Sequence, residues 1–164
     1  MSAAAIPVAV AYVVLLLTIM ASDILRRRIP NWSVLALLAL FATAMIVGRP
    51  PAPLGSALAA AAIALAVGVG LHAVGWVGAG DAKLFGAVGL FAGLSQLASL
   101  ALYTALAGGL IAVGLLVVRP KQTLAGLTAR GRAEGKGRNI PYGVPISLAA
   151  LLVSWITGFI PGAG

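Results

Sequence analysis

Two aspartates, Asp23 and Asp81, are the residues of this chain best suited to acid and base chemistry. The 164-residue sequence contains three acidic residues, and these two each lie where a long apolar run ends. Two carboxylates close together cannot both ionise cheaply, so one keeps its proton while the other is charged. Such a pair can hydrolyse an amide, because the charged carboxylate takes a proton from water and the neutral one protonates the carbonyl oxygen. If the fold brings Asp23 and Asp81 together, they form an acid/base pair of this kind.

The composition predicts an integral membrane protein. Hydrophobic residues make up 62% of the sequence and charged residues 9%, far from the usual values of soluble domains. Spans of about 20 residues each would use almost the whole length, so we expect one membrane domain over residues 1–164. The chain has no cysteine, which excludes disulfides, thiol nucleophiles and thiolate metal sites.

The apolar runs predict an all-α, polytopic protein with about six transmembrane helices. We expect a first, retained span over residues 3–21, because it lacks the basic start of a secretory signal peptide. Further runs cover about residues 32–48, 54–77, 84–118 and 140–160. The run 84–118 is too long for one span, so we expect a hairpin near Ser95 and Gln96 to divide it. Its first part, residues 84–94, is short for a span and could instead be re-entrant.

The basic residues predict the orientation of these helices, because Lys and Arg concentrate in cytoplasmic loops. Six crossings place ten of the eleven Lys and Arg residues on one side. This topology puts both termini outside. It also puts Asp23 and Asp81 at the same cytoplasmic boundary, since two crossings separate them. The ten residues are Arg26, Arg27, Arg28, Lys83, Arg119, Lys121, Arg130, Arg132, Lys136 and Arg138, and the exception is Arg49.

A purely structural role explains one aspartate better than the other. Asp81 could be the N-cap of a helix that begins near Ala82. Asp23 has no comparable explanation, because an acid in the last turn of a helix opposes the helix dipole. Ionisable groups at membrane depth are expensive and usually functional. We therefore favour a functional pair.

The segments around both aspartates resemble a known family. Asp23 is followed by Ile29-Pro30-Asn31 after the first helix, and Asp81 lies in Gly78-Ala79-Gly80-Asp81-Ala82-Lys83-Leu84 after the third. Together they resemble the two signatures of the prepilin peptidases, the type IV leader peptidases. The second also shares Gly-x-Gly-Asp with presenilin and signal peptide peptidase, the broader intramembrane aspartyl proteases. The resemblance runs from about residue 10 to about residue 150 and includes Ile140-Pro141-Tyr142-Gly143-Val144-Pro145.

This resemblance implies an aspartic-type endopeptidase in the cytoplasmic membrane, with its active site at the cytoplasmic face. Asp23 and Asp81 would be the catalytic residues, and no metal or cofactor is implied. The substrate would be a prepilin or pseudopilin precursor, cleaved where a short basic leader meets an apolar helix. Membrane lipid is a further expected partner, and nucleic acid is not. The residues that would bind substrate or shape the site are Gly78, Gly80, Lys83, Pro30, Asn31, Tyr142 and Gly143.

The short loop after the first helix narrows the resemblance. The larger bacterial enzymes carry a cytoplasmic domain there, with paired cysteines and a linked N-methylation activity. Here only a short loop separates Asp23 from Trp32, and cysteine is absent. The chain therefore resembles the short peptidases of tight-adherence (Flp-type) pilus systems, or the related archaeal preflagellin peptidases. The resemblance implies cleavage without methylation.

Two functions of other classes are consistent with the residues alone. A proton- or ion-coupled transporter would use two membrane carboxylates as a relay, although such relays usually lie near the midplane. A non-catalytic assembly subunit would tolerate the loss of either acid. The lone His72, late in the third span, is more often a helix-to-helix hydrogen-bond donor than a metal ligand. The basic segment 119–138 is explained by topology and by anionic lipid headgroups.

Overall fold

The computed structural model describes residues 5–48, 50–118 and 142–160, which form five α-helices and no strand. Three of them, α1, α3 and α4, are long and apolar enough to cross a membrane by length and composition. The all-α prediction is confirmed for this part of the chain, whereas the six-span topology stays a prediction. Arg49, the basic residues from Arg119 to Arg138, and Ile140 and Pro141 lie outside the described residues. The helices are α1 (Ala5–Arg26), α2 (Asn31–Ile46), α3 (Leu54–Ala73), α4 (Ala79–Val118) and α5 (Gly143–Ile156).

Prolines mark the starts of two of these helices. Pro30 is the N-cap of α2, with the extended backbone (φ −70°, ψ 138°) that a pyrrolidine ring permits. Its carbonyl oxygen accepts hydrogen bonds from the backbone N–H and the hydroxyl of the buried Ser33, at 3.0 and 2.7 Å. Pro53 occupies the N-cap of α3. These prolines explain why α2 and α3 begin close to the predicted positions.

The long apolar run is divided at Gly93, two residues before the predicted Ser95. Gly93 has non-helical backbone angles inside α4 (φ 65°, ψ 176°). The next residue, Leu94, donates its N–H to the hydroxyl oxygen of Ser56 in α3, at 2.9 Å. Residues 79–92 form the first leg of α4, and residues 94–118 form its second leg.

The first leg of α4 packs antiparallel and very close to α3. Gly68 of α3 lies against Ala82 near the start of the leg, where an added Cβ atom would be 2.9 Å from the Ala82 Cα. Gly89 lies against Ala60, and Gly93 lies against the start of α3. Small residues at these contacts permit the close backbone approach that is typical of helices packed in lipid.

The second leg of α4 returns towards the level of the first leg's start. Gly108 of the second leg faces Tyr142 and Pro145, at the beginning of α5. The first leg extends about 21 Å at 1.5 Å per residue, less than the hydrocarbon thickness of about 30 Å. The predicted hairpin is thus present, while its crossing of a bilayer stays a prediction.

An aromatic cluster fixes the position of α1 relative to the first leg. The rings of Tyr12 and Phe91 lie 4.4 Å apart between centroids. Asp23 follows Tyr12 along α1, and Asp81 precedes Phe91 along the first leg, by about 15 Å in each case at 1.5 Å per residue. The two aspartates therefore lie at similar distances from the cluster. Its other members are Phe41 and Phe159.

The substitution Gly93→Ala should destabilise the fold. The new Cβ would lie 2.7 Å from the Cβ of Ala52, at a φ of +65° that side chains disfavour. We expect a loss of about 1–3 kcal/mol in the free energy of unfolding. Gly109→Ala is the matched control, because nothing lies within 4 Å of a Cβ there. Thermal unfolding in detergent compares the two, and equal melting temperatures would contradict the reversal at Gly93.

Candidate active site

Asp23 lies in the last turn of α1, which continues past the predicted end at residue 21 to Arg26. Its side chain is only 4% exposed. The carboxylate oxygen Oδ2 accepts the backbone N–H of Val144, the second residue of α5, at 3.2 Å. The N-terminal end of a helix carries partial positive charge that stabilises an anion. Asp23 therefore has a structural partner that the sequence did not reveal.

Gly143 allows α5 to begin directly against the Asp23 carboxylate. A Cβ atom added to Gly143 would lie 2.8 Å from Oδ2 and 3.0 Å from Cγ of Asp23. It would also lie 3.1 Å from Cδ1 of Ile29, in the loop after α1. No side chain fits at position 143 unless one of these groups moves. The structure thus places Gly143 in contact with the first aspartate.

Asp81 is the third residue of α4, so its interpretation as the N-cap of a helix starting near Ala82 is wrong in position. Gly78 takes the N-cap, and its carbonyl accepts the N–H of Ala82 at 3.1 Å. The N–H of Gly78 donates to Oδ2 of Asp81 at 3.2 Å. Glycine is acceptable as an N-cap, and an acid three residues later reaches back as in a capping box. The candidate catalytic side chain therefore also caps the start of α4.

The two carboxylates lie close enough for the charge of Asp23 to act on Asp81. Ile29 packs between Gly80, which precedes Asp81, and Gly143, which lies against Asp23. Its Cβ would be 3.3 Å from a Cβ added to Gly80, and its Cδ1 contacts Gly143. Within the described residues, the backbones of α1 and α4 make no contact, whereas α2 and α5 each pack against both. The two aspartates therefore come from helices whose backbones are not direct neighbours.

The structure gives the other predicted site residues different contacts. Lys83 donates from Nζ to Oδ1 of Asn31, the first residue of α2, at 3.4 Å. This hydrogen bond is thus with an amide and not with either aspartate. Pro30 shapes the start of α2. The ring of Tyr142 packs against the second leg of α4, 3.8 Å from a Cβ added to Gly108.

Two contacts of the aspartates were not predicted from the sequence. Val144 acts through its backbone, which leaves no side-chain signal. The sequence explains Arg27 by topology alone, yet its charge acts on Asp23, and its φ of 50° is unusual for a residue with a side chain. His72 donates to the backbone of the loop before α4 and not to another helix. In the part of the chain that the structure describes, no group of three His, Asp or Glu residues is arranged to hold a metal.

Comparison with known proteins identifies the family. The model of the type IV leader peptidase family matches residues 10–113, which include both aspartates. The chain belongs to this family. It is therefore a protease of the leader peptidase type, as the resemblance predicted, and the family implies a prepilin-like substrate. The three long apolar helices agree with a membrane peptidase. The matched segment ends within the second leg of α4, so α5 lies beyond it. No curated protein and no solved structure matches the chain.

The substitution Gly143→Ala should lower peptidase activity. The added methyl group must displace the Asp23 carboxylate or the start of α5, and a misplacement of about 1 Å can cost about 100-fold in rate. Gly70→Ala in α3 is the control, because nothing lies within 4 Å of a Cβ there. The measurement is the rate of leader removal from a prepilin-type precursor, with melting temperature as a check on folding. Wild-type rates in a folded Gly143→Ala variant would show that this contact is dispensable.

Proposed function

We propose that the chain is an aspartyl endopeptidase that removes the short basic leader from prepilin-like precursors, such as Flp-type pilins or pseudopilins. Asp23 and Asp81 are its catalytic residues. One observation carries the proposal: two carboxylates from distant parts of a leader peptidase chain lie within electrostatic reach, each held by a backbone N–H at a helix start.

The surroundings of the pair favour a single shared proton. Both carboxylates lie among apolar side chains and close-packed helices, where two like charges repel strongly. Each is anchored through Oδ2, so the protein holds the pair together without a neutralising ion pair between them and Lys83. The pair then titrates as a unit, with one carboxylate ionised and the other protonated.

Hydrolysis follows from this protonation state. The ionised carboxylate takes a proton from water as the water oxygen attacks the scissile carbonyl carbon. The protonated carboxyl donates its proton to the carbonyl oxygen, which gives a tetrahedral gem-diol. In the second step the first carboxyl protonates the amide nitrogen, and the second recovers a proton from a gem-diol hydroxyl. The C–N bond breaks, the leader leaves with a new carboxyl group, and both aspartates return to their starting states.

The position of the pair suits a bond at a membrane boundary. Asp23 lies three residues before the end of α1, and Asp81 is the third residue of α4, so both lie near helix ends. Arg28 and Lys83 lie at the same end of the bundle as the pair. A basic leader that gives way to an apolar helix presents its scissile bond at this level. The gap between α1 and α4 is the proposed place for that bond.

The same position argues against a proton or ion relay. Transporter carboxylates usually lie near the bilayer midplane, often on broken helices of repeated halves. Here the break in α4 is at Gly93, and Asp81 lies at the opposite end of the first leg. We propose six crossings, with both termini outside and the aspartates at the cytoplasmic face of the inner membrane.

Asp23→Asn and Asp81→Asn should each abolish leader removal. Asparagine keeps the size of the side chain but can neither take nor give the catalytic proton, and loss of acid or base catalysis costs about 10²–10⁴-fold. The test co-expresses each variant with a precursor that carries a basic leader and one apolar helix, and follows the size of the precursor. Glu134→Gln, which removes the remaining acid of the sequence, is the control and should process normally.

The outcomes of this experiment separate the three functions. Continued processing by either asparagine variant would rule out the two-carboxylate mechanism. A wild-type protein that leaves the precursor intact but supports ion flux in proteoliposomes, with flux lost in both variants, would identify a transporter. Assembly that survives loss of either acid, without any processing, would identify a non-catalytic subunit.

The proposed topology predicts which positions are reachable from each side. Because the chain has no cysteine, single substitutions give labelling without background. Val47→Cys and Ser95→Cys should react with an impermeant maleimide from the outer side, whereas Arg28→Cys and Trp76→Cys should react only after permeabilisation. All four positions are exposed. A Ser95→Cys variant that labels from neither side, or only from the cytoplasmic side, would show that the first leg of α4 does not cross.

A further inference from the structure

A chain of hydrogen bonds in the loop between α3 and α4 ends at Asp81. Nδ1 of His72 lies 2.9 Å from the carbonyl oxygen of Val77. A carbonyl oxygen only accepts hydrogen bonds, so His72 donates through an Nδ1–H. The N–H of the same peptide group belongs to Gly78, and it donates to Oδ2 of Asp81 at 3.2 Å. One peptide group thus joins the imidazole to the candidate catalytic carboxylate.

The end of α3 positions this peptide group over His72. Gly75 has a φ of 75° and donates its N–H to the carbonyl of His72 at 2.9 Å, while Trp76 donates to the carbonyl of Leu71 at 2.8 Å. This pair of bonds is the glycine C-cap of a helix, which turns the chain sharply at the left-handed residue. The turn brings Val77 back over the last helical turn, where the imidazole reaches its carbonyl.

Donation to one end of a peptide group affects the other end. Hydrogen bonds in a chain polarise one another, so a donor on the Val77 carbonyl strengthens the Gly78 N–H as a donor. The same bond fixes the rotation of the peptide plane and therefore the direction of that N–H. His72 is exposed, whereas the peptide group that it contacts donates its N–H to Asp81.

We infer that His72 is a positioning residue for catalysis: it orients the Val77–Gly78 peptide group, which holds the Asp81 carboxylate in place. This inference rests on the proposed function of Asp81. In this inference His72 acts through the peptide group and not on the substrate. Its loss should therefore lower kcat and leave KM unchanged.

The kinetic test compares His72→Leu with His72→Asn in the purified full chain, using a synthetic peptide with a basic leader followed by an apolar segment. Leucine removes the donor, and we expect kcat about tenfold lower, which corresponds to about 1.4 kcal/mol, with KM unchanged. Asparagine can donate from Nδ2 to the same carbonyl, so kcat should recover to within about threefold of wild type. Thr43→Val is the control: Thr43 is also exposed and donates to a carbonyl, that of Ala39 in its own helix, and this variant should match wild type.

A spectroscopic readout reports the bond without any substrate. The amide proton of Gly78 in the ¹⁵N-glycine-labelled protein should move upfield in Asp81→Asn and in His72→Leu, but not in His72→Asn or Thr43→Val. Full cleavage by Asp81→Asn would overturn the proposed function. An inactive Asp81→Asn beside a His72→Leu with wild-type kcat and an unmoved Gly78 signal would overturn this inference alone. A raised KM with unchanged kcat in His72→Leu, or a His72→Asn as slow as His72→Leu, would also overturn it.

Discussion

A carboxylate inside an apolar bundle needs hydrogen-bond donors, and this requirement decides where two helices begin. The first N–H groups of a helix have no partner within it, so they are available to an anion. Asp81 uses Gly78 ahead of α4, and Asp23 uses Val144 at the start of α5, both at 3.2 Å. In each case a glycine lies where a Cβ would come 2.8 Å from the Oδ2 atom. The candidate site therefore consists of the starts of α4 and α5, each in close contact with one aspartate side chain.

The rest of the bundle brings those helix starts to the same level. The contact between Tyr12 and Phe91 sets α1 in register with the first leg of α4, far from the aspartates. Reversal at Gly93 then returns the second leg, and Gly108 meets the residues that open α5. Without the reversal, α4 would extend about 60 Å at 1.5 Å per residue and would carry the chain away from Asp23. A single left-handed glycine thus determines whether α5 can reach the first aspartate.

Local features of the sequence were sufficient to predict the helices and the division of α4, because apolar runs, proline and glycine act on nearby backbone. The aspartate motifs were sufficient to predict the family. The partner of Asp23 was not predictable, since the donor is a backbone N–H 121 residues away with no side-chain signature. The bond from His72 to Val77 depends on the turn at Gly75, which periodicity does not describe. The six-span count stays a prediction, because most of the basic residues that support it lie outside the described residues.

Under the proposed mechanism, anchoring by backbone groups, and not by lysine, permits one carboxylate to act as an acid and the other as a base. A lysine between the carboxylates would favour the charged form of both, and the proton donor would be lost. The N-terminal end of a helix offers only about half a unit of positive charge, spread over N–H groups whose positions are fixed. Lys83 donates to Asn31, and Arg27 acts on Asp23 from an exposed position where water screens its charge. In the proposed mechanism, mutual repulsion lets the pair hold one proton, while the two helix starts keep both side chains in place.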